Sequence, residues 1–148
     1  MIDRRTELMR EDDAGWAELH ELLGRLSDDD VLIVGYTPEW SVKDMLGHMA
    51  CWWAEASSEL ERIRMGTYEA QKRDVDALNA SFFEAMKDLD LHTISAELHA
   101  SRNRALEELG RLPELTPAAD EWFYESGPCH YGEHLPDLRL FVQKLSSG

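Results

Sequence analysis

The sequence predicts an all-α fold: an antiparallel four-helix bundle with an extra short helix or a long connector. Three observations lead there. Apolar residues recur at three- and four-residue steps through several long segments, the period of a helix with one buried face. No segment keeps up the apolar–polar alternation of a half-buried strand. Capping residues and glycine or proline stops bracket the periodic stretches. The 148 residues suit one domain, 1–148, since a single core is usual at about 100–200 residues.

The first helix is expected over about 4–26, with Leu8, Trp16, Leu19, Leu23 and Leu26 on its apolar face and a polar interruption at Asp12 and Asp13. Residues 27–40 read as a connector. Its apolar run Val31-Leu32-Ile33-Val34 has no strand to pair with, so it reads as a loop packed over one end of the bundle. The second helix has the clearest start. Ser41 is a good N-cap, Asp44 stands three residues on for a capping box, and Trp40 with Met45 can form a hydrophobic staple. It runs to about residue 64, with Gly66 as the stop. Gly47 inside it costs about 1 kcal/mol relative to Ala, which points to close approach of another helix or a ligand.

A third helix is expected over about 70–88, with Val75, Leu78, Phe82, Phe83 and Met86 as its core face. The next begins near Thr93 or Ser95 and ends at Gly110 and Pro113. Residues 113–127 read as a long connector docked by Trp122, Phe123 and Tyr124. The last helix lies over about 128–144, and Pro136 inside it predicts a kink or a start nearer Glu133.

Asp and Glu number 30 against 15 Lys and Arg, for a net charge of -15. Such a surface repels phosphate backbones and anionic lipid, so neither nucleic acid nor a membrane surface is expected as a partner. No apolar run approaches the ~20 residues of a membrane span. The N-terminus lacks the apolar region of a signal peptide. With Cys51 and Cys129 alone there is no disulfide framework, and a reducing cytoplasm is the expected location.

The chemistry-bearing residues are histidines. His130 and His134, in HYGEH, stand at i and i+4, so a helix places both imidazoles on one face one turn apart. That spacing suits two ligands on one divalent ion, and it also arises from packing alone. His48 lies mid-helix among core-type residues and reads either as a ligand or as a neutral imidazole hydrogen-bonded in the core. No HExxH occurs, and no ExxH, so zincin and ferritin-like carboxylate sites are excluded. No CxxC, P-loop, GxGxxG or GxSxG is present either.

The stretch TPEWSVKDMLGHM, residues 37–49, resembles the W-S-x-x-D-x-x-x-H pattern of DinB/YfiT-like proteins. HYGEHLPD, residues 130–137, resembles their closing H-x-x-x-H-x-P-D segment. The two motifs, in order and at this separation, extend the resemblance over nearly the whole chain. It implies a four-helix bundle with a divalent metal, commonly zinc, nickel or iron, in a cleft between helices. The ligands would be the motif histidines, here His48, His130 and His134. Members of the superfamily include mycothiol-dependent maleylpyruvate isomerase, bacillithiol S-transferases and the ClbS/DfsB self-resistance group. The lead-in and ending look most like the ClbS/DfsB-type or uncharacterised branches.

Three neutral imidazoles leave coordination positions open for water or substrate, as in catalytic rather than structural sites. Around them Asp44 reads as a helix cap or as an acceptor for a ligand's free N–H. Glu133 reads as a general base or as a solvated surface carboxylate. Tyr131, Trp52, Cys51 and Cys129 read as pocket residues or as ordinary packing, the cysteines also as soft ligands or a redox pair. Three functions remain open. One is a metal-dependent enzyme performing thiol transfer, isomerisation or hydrolysis on a small molecule, with a low-molecular-weight thiol as a candidate cofactor. Another is a protein that sequesters a small molecule without turnover. The third is a metal-free helical domain. A homodimer is expected.

Overall fold

The computed structural model describes residues 2–147. Four long helices carry the bundle: α1 (Arg4–Leu23), α3 (Val42–Met65), α5 (Leu91–Arg111) and α7 (Pro128–Ser147). Three shorter ones lie between them: α2 (Asp28–Leu32), α4 (Val75–Met86) and α6 (Pro117–Ser126). Among the described residues the extended backbone pairs only at one bridge, Val34 with Ser41. No described helix is long and apolar enough to cross a membrane.

Side-chain contacts fix the helix directions. Gly47 faces Ile94 and Arg64 binds Glu108, so α3 and α5 run the same way. Gly15 faces Tyr131 and Glu18 binds Arg139, so α1 and α7 also run together. Asp12 binds Arg102 while Trp16 packs on His99, and Trp53 meets Gly127 while His48 meets His130. The two pairs are therefore antiparallel to each other. Parallel neighbours cannot be joined by a tight turn, so the chain must return along the bundle between α3 and α5. The segment 66–90 makes that return. Asn79 reaches Trp52 and Met86 reaches Gly47, so α4 runs back along α3.

This crossover corrects one expectation. Val75, Leu78, Phe82, Phe83 and Met86 do not form a buried core face; no α4 residue is fully buried, and Val75 is 51% exposed. The helix starts at Asp74, which caps Ala77 N–H at 3.1 Å, rather than near residue 70. Gly47 behaves as its position suggests: a Cβ there would stand 3.0 Å from the Cβ of Met86.

Two connectors contain helices. Ser27 and Asp30 form a capping box that starts α2 and turns Val31 into the core. Thr116 caps α6 and Pro117 opens it, a favoured first-turn position because its missing N–H is not needed there. Phe123 is fully buried by this helix, while Trp122 is half-buried and Tyr124 exposed. Helix α7 is continuous from Pro128, with Pro136 inside it. Pro136 and Gly132 both lie on the exposed face, so water can satisfy the Gly132 carbonyl that the proline leaves free.

The core runs through Leu8, Leu19, Trp53, Leu60, Ile94, Leu98, Leu109 and Leu138. It encloses one ion pair. Arg102 Nε donates to Asp12 Oδ2 at 2.8 Å, and its guanidinium lies over the Trp16 ring. Gly15 lets α1 and α7 meet, since a Cβ there would stand 2.2 Å from the Tyr131 ring. Gly15→Ala is expected to destabilise the fold by about 1–3 kcal/mol through overpacking. Urea denaturation monitored by far-UV circular dichroism checks this; an unchanged midpoint would contradict the packing.

Candidate metal centre

The site lies where α3 crosses the start of α7. The capping box that opens α3 places His48 within its second turn. Ser41 Oγ accepts from Asp44 N–H at 3.1 Å, and Asp44 Oδ2 accepts from Ser41 N–H at 2.9 Å. On the other side Gly127 separates α6 from α7. A Cβ there would stand 2.6 Å from Asp12 Oδ1 and 2.7 Å from the Trp53 ring. Its absence lets the first turn of α7 settle against α1 and α3, which brings His130 to His48.

The Nε2 atoms of His48 and His130 stand 2.9 Å apart. One donor atom from each of His48, His130 and His134 lies within 4.8 Å of the others. The ring centroids are separated by 4.8, 5.1 and 4.6 Å. Tyr36 orients the third ring. Its hydroxyl donates to the His134 carbonyl at 3.0 Å and lies 3.2 Å from His134 Nδ1. Having given its single proton to the carbonyl, the hydroxyl accepts from Nδ1–H, which leaves Nε2 with a bare lone pair. Tyr36 stays protonated because burial, then the charge of Asp137, raises its pKa. Trp40 covers the cluster, 5.0 Å from the His48 ring and 6.4 Å from that of His134.

Burial keeps all three imidazoles neutral. The pKa of His48 falls to about 4, first through burial and then through His134. His130 is pushed well below its ordinary value by burial and by its two partners, against the opposing Ser126 carbonyl. His134 is lowered by burial, with Asp137 opposing. Neutral imidazole is the form that binds metal. His48 Nδ1, His130 Nδ1 and His134 Nε2 are buried without a hydrogen-bond partner. A buried polar atom left unsatisfied costs about 1–3 kcal/mol, so these rings are poorly served by the protein alone. Three converging neutral nitrogens with no carboxylate or thiolate in the group fit a borderline divalent ion such as zinc, nickel or iron.

From His48 and His130 a cleft of about 440 Å³ opens outward. Trp52, Trp122 and Tyr68 supply its aromatic lining, and Arg73 and Glu133 also face it. Trp52 is pinned by a 2.8 Å bond from Nε1 to Asn79 Oδ1 and by an edge contact with Phe82.

The remaining candidate residues divide. Trp52 and Glu133 line the cleft. Asp44 is engaged in capping α3, so the structure assigns it to the helix start rather than to a ligand's N–H. Tyr131 points away from the histidines: it packs on Gly15 and is 2% exposed. Successive helical side chains diverge by about 100°, so His130 and Tyr131 cannot share a face. Neither cysteine joins the donor group. Burial, then Glu55 and Glu97, raises Cys51 to about 11, and burial with Glu125 and Glu133 raises Cys129, so both are protonated thiols at neutral pH. Tyr36 was not legible as a site residue, since a tyrosine between two loop segments carries no spacing signal. Trp40 was legible only as a staple, and Arg73 and Trp122 lie in segments far from the histidine motifs.

Residues 13–141 match the mycothiol maleylpyruvate isomerase N-terminal domain family. The chain belongs to that family. It thereby falls within the DinB/YfiT-like helical superfamily. A crystal structure of an uncharacterised protein from Escherichia coli UTI89 superposes with a TM-score of 0.78 at 16% identity, covering 96% of this chain and 94% of that one. At that identity the likeness concerns the fold alone. No curated protein matches the chain.

The neutral histidines make the metal-free fold sensitive to acid. Unfolded rings take up protons near pH 6.5, whereas folded His48 resists until about 4. Their contribution is present above pH 6.5 and is lost as pH falls through this window. Asp12, raised to about 6 by burial, acts in the opposite sense below that pH. Chelator-treated wild type is expected to lose stability relative to His48→Gln between pH 7 and pH 4.5 in urea titrations. A constant difference between the two proteins would contradict the assignment.

Proposed function

We propose that the chain is a divalent-metal-binding domain that promotes attack of a low-molecular-weight thiol on a small electrophile in the cleft above His48, His130 and His134. The observation that carries this reading is the convergence of three neutral imidazoles, two of which, His48 and His130, form the buried floor of an aromatic-lined cavity. The family name supports a thiol as the nucleophile's source. A bound divalent ion would supply Lewis acidity that favours ionisation of a thiol or water at neutral pH.

The chain's own residues then have separate tasks. His48, His130 and His134 would hold the ion by their nitrogens. Tyr36 fixes the tautomer of His134 by holding Nδ1 and the local carbonyl. Trp40 and Trp52 exclude water around the histidines. Glu133, the cleft carboxylate on the same helix as His130 and His134, accepts the proton released by the nucleophile. Isomerisation and S-transfer share that activated nucleophile, and differ in what the substrate does afterwards.

Protein purified without a histidine tag is expected to hold about one divalent ion per chain by mass spectrometry. His48→Ala, His130→Ala and His134→Ala are each expected to abolish stoichiometric binding while the helical spectrum persists. Tyr36→Phe is expected to weaken metal binding about 10–100-fold, the usual effect of removing a partner of a ligating histidine. Metal retained at full stoichiometry in the histidine variants would refute the centre. Thiol-dependent consumption of a neutral electrophile such as chlorodinitrobenzene is expected to vanish in His48→Ala. Binding of the electrophile without any consumption would replace the enzyme by a sequestering protein.

A further inference from the structure

The charges around the cleft are lopsided. Glu59, Glu69, Glu121, Glu125 and Glu133 all line it, whereas Arg73 is the one Lys or Arg among the described lining residues. The charge of Arg73 is already committed. Its guanidinium binds Glu55 Oε2 at 2.9 Å and Glu59 Oε1 at 2.8 Å, and lies over the Trp122 ring. Among the described residues, Glu69, Glu121, Glu125 and Glu133 make no salt bridge. Glu121 and Glu125 stand one turn apart on α6, so their carboxylates share one face. A dication at the histidines would offset the charge of two of these four and leave the mouth negative.

Two further observations make this a binding site rather than a solvated acidic patch. The cleft is floored by His48 and His130, two imidazoles at least nine-tenths buried, each with a ring nitrogen that has no hydrogen-bond partner. Its walls carry Trp52, Tyr68 and Trp122, whose ring faces attract cations and apolar surface alike. A dicarboxylate or other small anion entering here meets four unpaired carboxylates and no free cationic side chain to receive it.

We infer that the cleft selects small molecules carrying a positively charged amino group, seated among Glu69, Glu121 and Glu125 against the aromatic walls, and discriminates against anionic thiols and dicarboxylates. This rests on the metal-centre reading for the position of the reacting end of the molecule, but the charge selectivity is a property of the cleft itself. The ammonium end of a substrate remains at the mouth while its thiol or electrophilic end reaches the histidines.

The test uses the full chain in two states. In the cobalt(II)-loaded protein, affinities for cysteamine, 2-mercaptoethanol and 3-mercaptopropionate are read from thiolate-to-cobalt absorption. In the metal-free protein, tryptophan emission is quenched by N-methylpyridinium and by iodide. Wild type is compared with Glu69→Gln/Glu121→Gln/Glu125→Gln, and with Asp28→Asn/Asp29→Asn/Glu114→Gln, whose positions do not line the cleft. The triple cleft variant is expected to lower the ratio of cation to anion affinity about tenfold at low ionic strength, with the difference shrinking as salt is added. The control variant is expected to leave the ratio near wild type. Equal ratios in all three proteins overturn the inference, as does an equal fall in both variants, which would assign the preference to the overall charge of -15. Absence of a cobalt spectrum with an intact, cleft-dependent quenching preference would overturn the metal centre while upholding the charge selectivity.

Discussion

Burial of three imidazoles at one helix crossing is the constraint on which the other features of the site depend. A histidine in water is half protonated near pH 6.5, and three protonated rings within 4.8 Å would repel one another. Desolvation removes that outcome, holding His48, His130 and His134 neutral with lone pairs available. The arrangement is unfavourable for the protein on its own, since three ring nitrogens find no partner. Of these, His134 Nε2 is the atom a bound ion would engage, and unsatisfied groups of this kind concentrate at functional sites.

The bundle topology shapes the approach to the site. With α3 and α5 parallel, the chain must cross back between them, and α4 does so on the outside. That return path leaves an open flank beside α3. Trp52, Tyr68, Arg73 and Asn79, drawn from α3 and the crossover, meet Trp122 and Glu125 of α6 there and enclose the cleft. A simple up-and-down bundle with short turns would bury His48 in a closed core. The crossover instead gives its imidazole a route to the outside.

Much of this was legible in the sequence, for identifiable reasons. The Ser41–Asp44 box and the i, i+4 pair His130 and His134 are local patterns, set by helix geometry over one turn. Gly47 marked a close approach because glycine inside a helix is costly, and here an added Cβ would crowd Met86. What escaped depends on contacts distant in sequence. The 3–4 spacing of Val75, Phe82 and Met86 looks the same whether a face is wholly buried or merely laid over other helices. The Tyr36 hydroxyl reaches His134 across 98 positions. Tyr131 sits beside His130 in sequence but turns toward Gly15, and Asp44, one turn before His48, is occupied by a backbone N–H. The short helices α2 and α6 carry signals, Ser27 with Asp30 and Thr116 with Pro117, set among proline, glycine and acidic residues that equally suit a connector.

The most direct measurement is X-ray absorption at the metal edge of zinc-loaded protein, with and without a small thiol. A shell dominated by three imidazole nitrogens at about 2.0–2.1 Å is expected, recognisable from ring multiple scattering, with one light atom replaced by sulfur at about 2.3 Å when thiol is added. A shell of carboxylate and water oxygens, or one holding two cysteine sulfurs before any thiol is added, would contradict it.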